Sequence, residues 1–113
     1  MRSSPEEAIV FFRKWQEDRI LLRVTLSAGE ITVVADAAIA FSEDGLMLIA
    51  LGATNNFSLE VPLVEIDSYD YFTVRDVGPE ALSQTGDLLT GESWLLTTRN
   101  GIKIALFEQG NSN

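Results

Sequence analysis

Residues 61–72 read VPLVEIDSYDYF, and the way this stretch is divided decides the fold. Read as one strand, its two-residue period puts Val64, Ile66, Asp70 and Phe72 on a single face. A carboxylate on an apolar face is costly unless it is paired or exposed. Pro62 argues for a break, because proline has no N–H to give a central ladder. A strand ending at Val61 and a tight turn from Pro62 through Leu63 and Val64 follow, with a new strand from about residue 65. Ile66 and Asp70 still share a parity within that new strand. A bulge at Ser68 resolves the conflict, placing Tyr69 and Tyr71 beside Ile66 and turning Asp70 outward with Phe72. A place at the rim of the sheet is the alternative for Asp70, and both are favoured over a buried functional carboxylate.

The flanking sequence supplies the other strands. FSLEV (57–61) alternates, with Phe57, Leu59 and Val61 inward. LMLIALG (46–52) is apolar on both faces and reads as a central strand covered on both sides. EITVVADAAIAF (30–41) has Ile31, Val33, Ala35, Ala37, Ile39 and Phe41 as its inward set, and its small residues permit a sharp bend. ILLRVTLS (20–27) alternates as cleanly, with Ile20, Leu22, Val24 and Leu26 on one face.

SPEEAIVFFRKWQEDR opens with a capping box: Ser4 as cap, Pro5 at the first helical position and Glu7 three residues after the cap. Ala8, Phe11, Phe12 and Trp15 form an apolar stripe at helical spacing. The polar face is mixed rather than basic, so the stripe is expected to cover a sheet and not a membrane.

Beyond the tyrosines, Gly78-Pro79 and EALSQ suggest one or two helical turns, and residues 77–92 read as a loop. SWLLTTRNGIKIALFEQ (93–109) is a hairpin around Asn100-Gly101, the pair favoured in a two-residue type I′ turn. Such a turn pairs Arg99 with Ile102, Leu96 with Ala105 and Trp94 with Phe107.

The expected organisation is a single domain over 1–113, α+β and mostly β. It has a helix over about 4–19 and strands over about 20–27, 30–41, 46–52, 57–61, 65–75, 93–99 and 102–108. The fold class is a small, strongly bent antiparallel sheet or an SH3-like or Sm-like barrel. In architecture the chain resembles those small barrels. The Sm-like RNA-binding family has a glycine after the bend of its second strand and an Asp–Met–Asn cluster in the next loop. The comparable VVADAAIAFSEDGLML (33–48) has neither, so no residue inherits that function.

Composition excludes more than it assigns. The 113 residues are 46% hydrophobic and 22% charged, which suits one globular core. There is no Cys and no His, which removes disulfides, thiolate chemistry, histidine zinc sites and Ser-His-Asp machinery. No apolar stretch spans a bilayer and the N-terminal MRSSPEEAIVFF carries acids where a signal peptide needs bases, so a cytoplasmic protein is expected. The net charge is −9, and no Lys or Arg occurs from Val24 to Val74. That acidity argues against nucleic acid and anionic membranes and suits a basic protein partner.

Three constellations invite a chemical reading. Glu65, Asp67 and Asp70 with Tyr69 and Tyr71 form the densest polar cluster, but paired-carboxylate catalysis needs a deep cleft. Ser42-Glu43-Asp44-Gly45 resembles half a calcium loop, without the ligand spacing or closing Glu. Gly86 and Gly91 make no phosphate loop, since no Lys follows and Asp87 and Glu92 repel anions. No cofactor and no metal are expected. The reading that results is a non-enzymatic interaction or scaffold domain that self-associates. Its candidate interface is the hairpin face bearing Trp94, Leu96 and Phe107, unless Leu82, Leu88 and Leu89 of the 77–92 loop cover it. The alternative is a small apolar ligand-binding module between helix and sheet, with a carboxylate enzyme third.

Overall fold

The structure is a computed structural model and describes residues 2–54, 56–73 and 89–109. The helical turns expected near EALSQ, and the covering role given to Leu82, Leu88 and the side chain of Leu89, lie outside what the structure describes. In chain order the elements are β1 (Arg2–Ser3), α1 (Pro5–Glu17), β2 (Leu21–Ala28), β3 (Ile31–Phe41), β4 (Met47–Gly52) and β5 (Ser58–Pro62). A 3-10 turn over Leu63–Glu65 leads to β6 (Ile66–Thr73), followed by β7 (Leu89–Thr98) and β8 (Lys103–Gln109). Leu89 to Glu92, expected in a loop, thus belong to β7.

The capping box of α1 forms as expected. The Glu7 N–H donates to Ser4 Oγ at 3.2 Å, and the Ser4 hydroxyl donates to Glu7 Oε1 at 3.1 Å. The helix stops at Glu17 without a glycine. The Arg19 N–H bonds to the Gln16 carbonyl and the Ile20 N–H to the Trp15 carbonyl, which is a Schellman ending with Arg19 at φ 53°. A left-handed non-glycine costs about 1–2 kcal/mol. Arg19→Gly is therefore expected to stabilise the protein by about 1 kcal/mol, after part of that gain is offset by unfolded-state entropy. A urea midpoint that falls instead would contradict this.

The strands form one antiparallel sheet in the order β1-β6-β7-β8-β2-β3-β4-β5. Among the described residues no ladder joins β5 back to β1 or β6, so the sheet is open, not a closed barrel. One face of the sheet and α1 enclose the core, which includes Phe12, Trp15, Leu22, Val24, Leu96 and Leu106. Phe11, Phe12, Trp15, Tyr71 and Trp94 meet with ring centroids 5.1 to 5.9 Å apart. Such edge and offset contacts add roughly 0.5–1.5 kcal/mol per pair beyond area burial. β4 differs from expectation: Leu48 and Ala50 are buried, but the other face is half-buried at Met47 and Ile49 and exposed at Leu51, so that side of the strand is only partly covered.

The division of VPLVEIDSYDYF is resolved. Pro62 ends β5 opposite Met47, and the next residue's N–H bonds to the Leu46 carbonyl at 2.9 Å, so the missing proline donor faces the unpaired edge. The register of β6 against β7 shifts between Ile66 and Ser68, leaving Asp67 as the extra residue. Ile66 and Tyr69 are consequently both buried, while Asp70 and Phe72 lie on the opposite face and are half-buried.

Candidate functional site

The turn between β7 and β8 has three residues, not two. The Gly101 N–H donates to the Thr98 carbonyl at 3.0 Å and the Thr98 N–H to the Ile102 carbonyl at 2.9 Å. Gly101 has φ 89°, so this is a type I turn followed by a left-handed glycine. The Thr98 hydroxyl donates to Asn100 Oδ1 and accepts from the Ile102 N–H at 3.0 Å, which holds the longer turn in place.

One extra turn residue moves the whole hairpin register. Trp94 is opposite Leu106 and Leu96 opposite Ile104, in place of the expected Phe107 and Ala105. A one-residue slip exchanges the two faces of β8 relative to β7. Trp94 and Leu96 are therefore inside, 2% and 0% exposed, whereas Phe107 is on the outer face against Phe72 at 5.7 Å. The proposed interface of Trp94, Leu96 and Phe107 is not one surface, and two of its three members are core. Trp94 Nε1 and Ser93 Oγ are buried with no hydrogen-bond partner among the described residues.

The polar cluster also disperses. Glu65 and Asp67 are exposed, Asp70 is on the outer face, and Tyr69 is on the inner one, where burial raises its pKa. In the Ser42–Gly45 turn, Asp44 Oδ1 accepts from the Ser42 hydroxyl at 2.6 Å and the Leu46 N–H at 3.0 Å. Those two bonds, the Ser42 one foremost, lower its pKa, so the carboxylate is engaged in its own turn. Among the described residues no group of three or more acidic side chains is arranged to hold a metal ion.

Two features remain as candidate sites. The first is the arm formed by β2 and β3. Gly29 has φ 62° at the first position of a two-residue turn, and the β2–β3 ladder runs without interruption from Leu21–Ala38 to Ala28–Ile31. β4 pairs only with Ala37 to Phe41, so among the described residues no strand lies beside 31–35. There Ile31 is 67%, Val34 58% and Val33 39% exposed. Ile31 and Val33, expected inside, lie beyond the end of the core. The sequence carried a signal for this: EITVVADAAIAF is longer than LMLIALG, and the excess has no neighbour to cover it.

The second is an open apolar cleft of about 290 Å³ whose lining includes no residue of α1. Leu26, Leu59, Val61, Ile102 and Ile104 line it, with Glu60, Glu65 and Asn100 at the rim. The contact of α1 with the sheet, where the alternative reading placed a ligand, is filled by Ala8, Phe12 and Trp15, all buried. A smaller cleft of about 170 Å³ at the helix margin holds Lys14, Asp18, Glu92 and Glu108. Two of its three carboxylates already have partners: the Trp15 indole donates to Glu108 at 3.0 Å and the Tyr71 hydroxyl to Glu92 at 3.3 Å.

Comparison with protein-family models, curated proteins and solved structures gives no match to this chain. Among the described residues no helix is long and apolar enough to cross a membrane.

Proposed function

We propose that this chain is a non-enzymatic interaction or scaffold domain that self-associates, and that it does so through the free edge of β3 rather than the β7–β8 hairpin. The observation that carries the reading is the overhang of Ile31 to Ala35, an edge with exposed β-branched residues and no neighbouring strand among the described residues. Edge strands of soluble proteins are ordinarily blunted by proline, lysine or inward charge. The edge of β5 has Pro62, but ITVVA has none of these devices. The strongly bent sheet is, on this reading, an SH3-like small barrel left open at one seam. A basic protein remains the class of foreign partner that the acidic surface suits, with nucleic acid and anionic membrane disfavoured.

Sedimentation equilibrium tests the proposal. A five-residue edge lies at the small end of specific interfaces, so a dissociation constant on the order of tens of micromolar is expected. Association is expected to strengthen with salt, because each chain bears a charge of −9. Val34→Lys places a charge on the exposed edge and is expected to leave a monomer with an unchanged melting curve. A wild-type monomer at several hundred micromolar would end the proposal.

The cleft beside Leu26 and Ile104 supports a second reading, a small apolar ligand bound within it. Hexanol is then expected to shift the amide resonances of Leu59, Ile102 and Ile104 saturably. Shifts that stay linear with concentration and spread over the surface would exclude it.

A further inference from the structure

We infer that the second copy adds to β3 as an antiparallel strand with the two-fold axis passing through Val33, an assignment that rests on the self-association proposed above. The edge offers a definite set of hydrogen-bonding groups. The Ala53 N–H donates to the Asp36 carbonyl at 3.1 Å, so Asp36 directs its main-chain groups toward the β4 side. In a regular ladder that direction alternates. Thr32 and Val34 therefore present their N–H and C=O groups to the open side, while Ile31, Val33 and Ala35 use theirs on β2.

An antiparallel pair related by a two-fold axis normal to the sheet keeps side chains on their own faces, so the axis must pass through a residue position. Centred on Val33, the pairing sets Thr32 against the partner's Val34 and Val34 against the partner's Thr32, which satisfies both exposed residues of each chain. Val33 meets its own counterpart as a non-hydrogen-bonded pair. On the inner face the large Ile31 meets the small Ala35, and on the outer face two β-branched residues meet, a favourable cross-strand combination. Centring one residue later, on Val34, directs the partner's Ile31 at Ala37, a position that Gly52 of β4 already occupies. In the Val33 register the partner's Ile31 lies opposite Ala35, the last position before Ala53. The partner's Glu30 must swing aside within its own turn, because the Ala53 N–H already holds the Asp36 carbonyl at 3.1 Å. Asp36, at the inner end, has Arg23 at 3.2 Å to offset its charge as the partner's Glu30 approaches. A second copy, unlike a foreign strand, consumes both free edges at once and closes the assembly.

The chain has no cysteine, so single-cysteine variants read the register directly. A non-hydrogen-bonded pair brings Cα atoms to about 4.5 Å, within disulfide range. Thr32 and its own counterpart are offset by two residues, about 7 Å along the strand, and so are out of range. Val33→Cys, Thr32→Cys and Val34→Cys are oxidised at tens of micromolar, with Glu43→Cys as the collisional control, after the reduced proteins are shown to melt like the parent. Val33→Cys is expected to cross-link at least tenfold faster than the control and than either neighbour alone. Mixed Thr32→Cys and Val34→Cys are expected to give the heterodimer in preference to either homodimer. Self-linking of Thr32→Cys or Val34→Cys as fast as Val33→Cys overturns the register, as does Val33→Cys linking no faster than Glu43→Cys while the parent sediments as a dimer. A parent that sediments as a monomer removes the self-association itself, and the register with it.

Discussion

Trp94→Glu is expected to abolish the fold, not to alter assembly. The indole is 2% exposed and its ring lies 5.4 to 5.7 Å from those of Phe11, Phe12 and Tyr71. Truncating such a ring costs about 3–5 kcal/mol through lost burial and the cavity left behind. A carboxylate in the same place would sit among the rings of Phe11, Phe12 and Tyr71, and its desolvation adds several kcal/mol or forces the group to take up a proton. The total rivals the whole stability of a domain this size, about 5–15 kcal/mol. Circular dichroism is expected to show an unfolded or molten chain at neutral pH. A cooperative melt close to the parent's would mean that Trp94 is not core.

Two companion variants separate packing from assembly. Trp94→Phe keeps an aromatic body and removes the buried indole N–H that has no acceptor among the described residues, so it is expected to cost only about 1–2 kcal/mol. Phe107→Glu alters the outer face beside Phe72 and is expected to cost a similar amount while leaving the sedimentation of the protein unchanged. A folded Phe107→Glu variant that dissociates a parental dimer would return the interface to the hairpin.

Legibility from sequence followed the range of the forces involved. The helix was readable because its cap, stripe and charges are all local, and only its end was misplaced, since Arg19 takes a conformation usually left to glycine. The break at Pro62 and the bulge before Tyr69 were readable because a proline without a donor and a carboxylate on the wrong parity each force a local answer. The hairpin turn was not readable. Asn100-Gly101 suits a two-residue loop, but the Thr98 hydroxyl caps a three-residue one, bonding both Asn100 and the Ile102 N–H. The turn length, together with the apolar pattern of the two strands, sets which face of β8 is buried, and the expected interface fell with it. Burial of Ile31 and Val33 failed for a different reason: alternation reports which face a side chain takes, not whether a neighbouring strand extends far enough to cover it. The greater length of EITVVADAAIAF over LMLIALG hinted at an overhang, and its position became definite once β4 was seen to begin pairing at Ala37.

Trp15→Ala is expected to show how far α1 belongs to the core rather than resting on it. Trp15 is 3% exposed, stacked on Phe12 at 5.6 Å and edge-on to Phe11 at 5.1 Å. Its indole N–H also donates to Glu108 Oε2 at 3.0 Å, tying the helix to β8 across ninety-three positions of sequence. Removal of the ring is expected to cost about 3–5 kcal/mol, read from the urea midpoint at constant slope. Trp15→Phe divides that loss, because it retains most of the apolar body and deletes only the donor to Glu108. A hydrogen bond to a charged acceptor contributes about 1.5–3 kcal/mol when shielded. Glu108 is half-buried, so the lower end of that range is expected. Adding Glu108→Gln to Trp15→Phe is then expected to change stability by less than the sum of the two single effects, since they share one bond. Full additivity would mean that the helix is held by packing alone, and a Trp15→Ala melt matching the parent's would place α1 outside the cooperative unit.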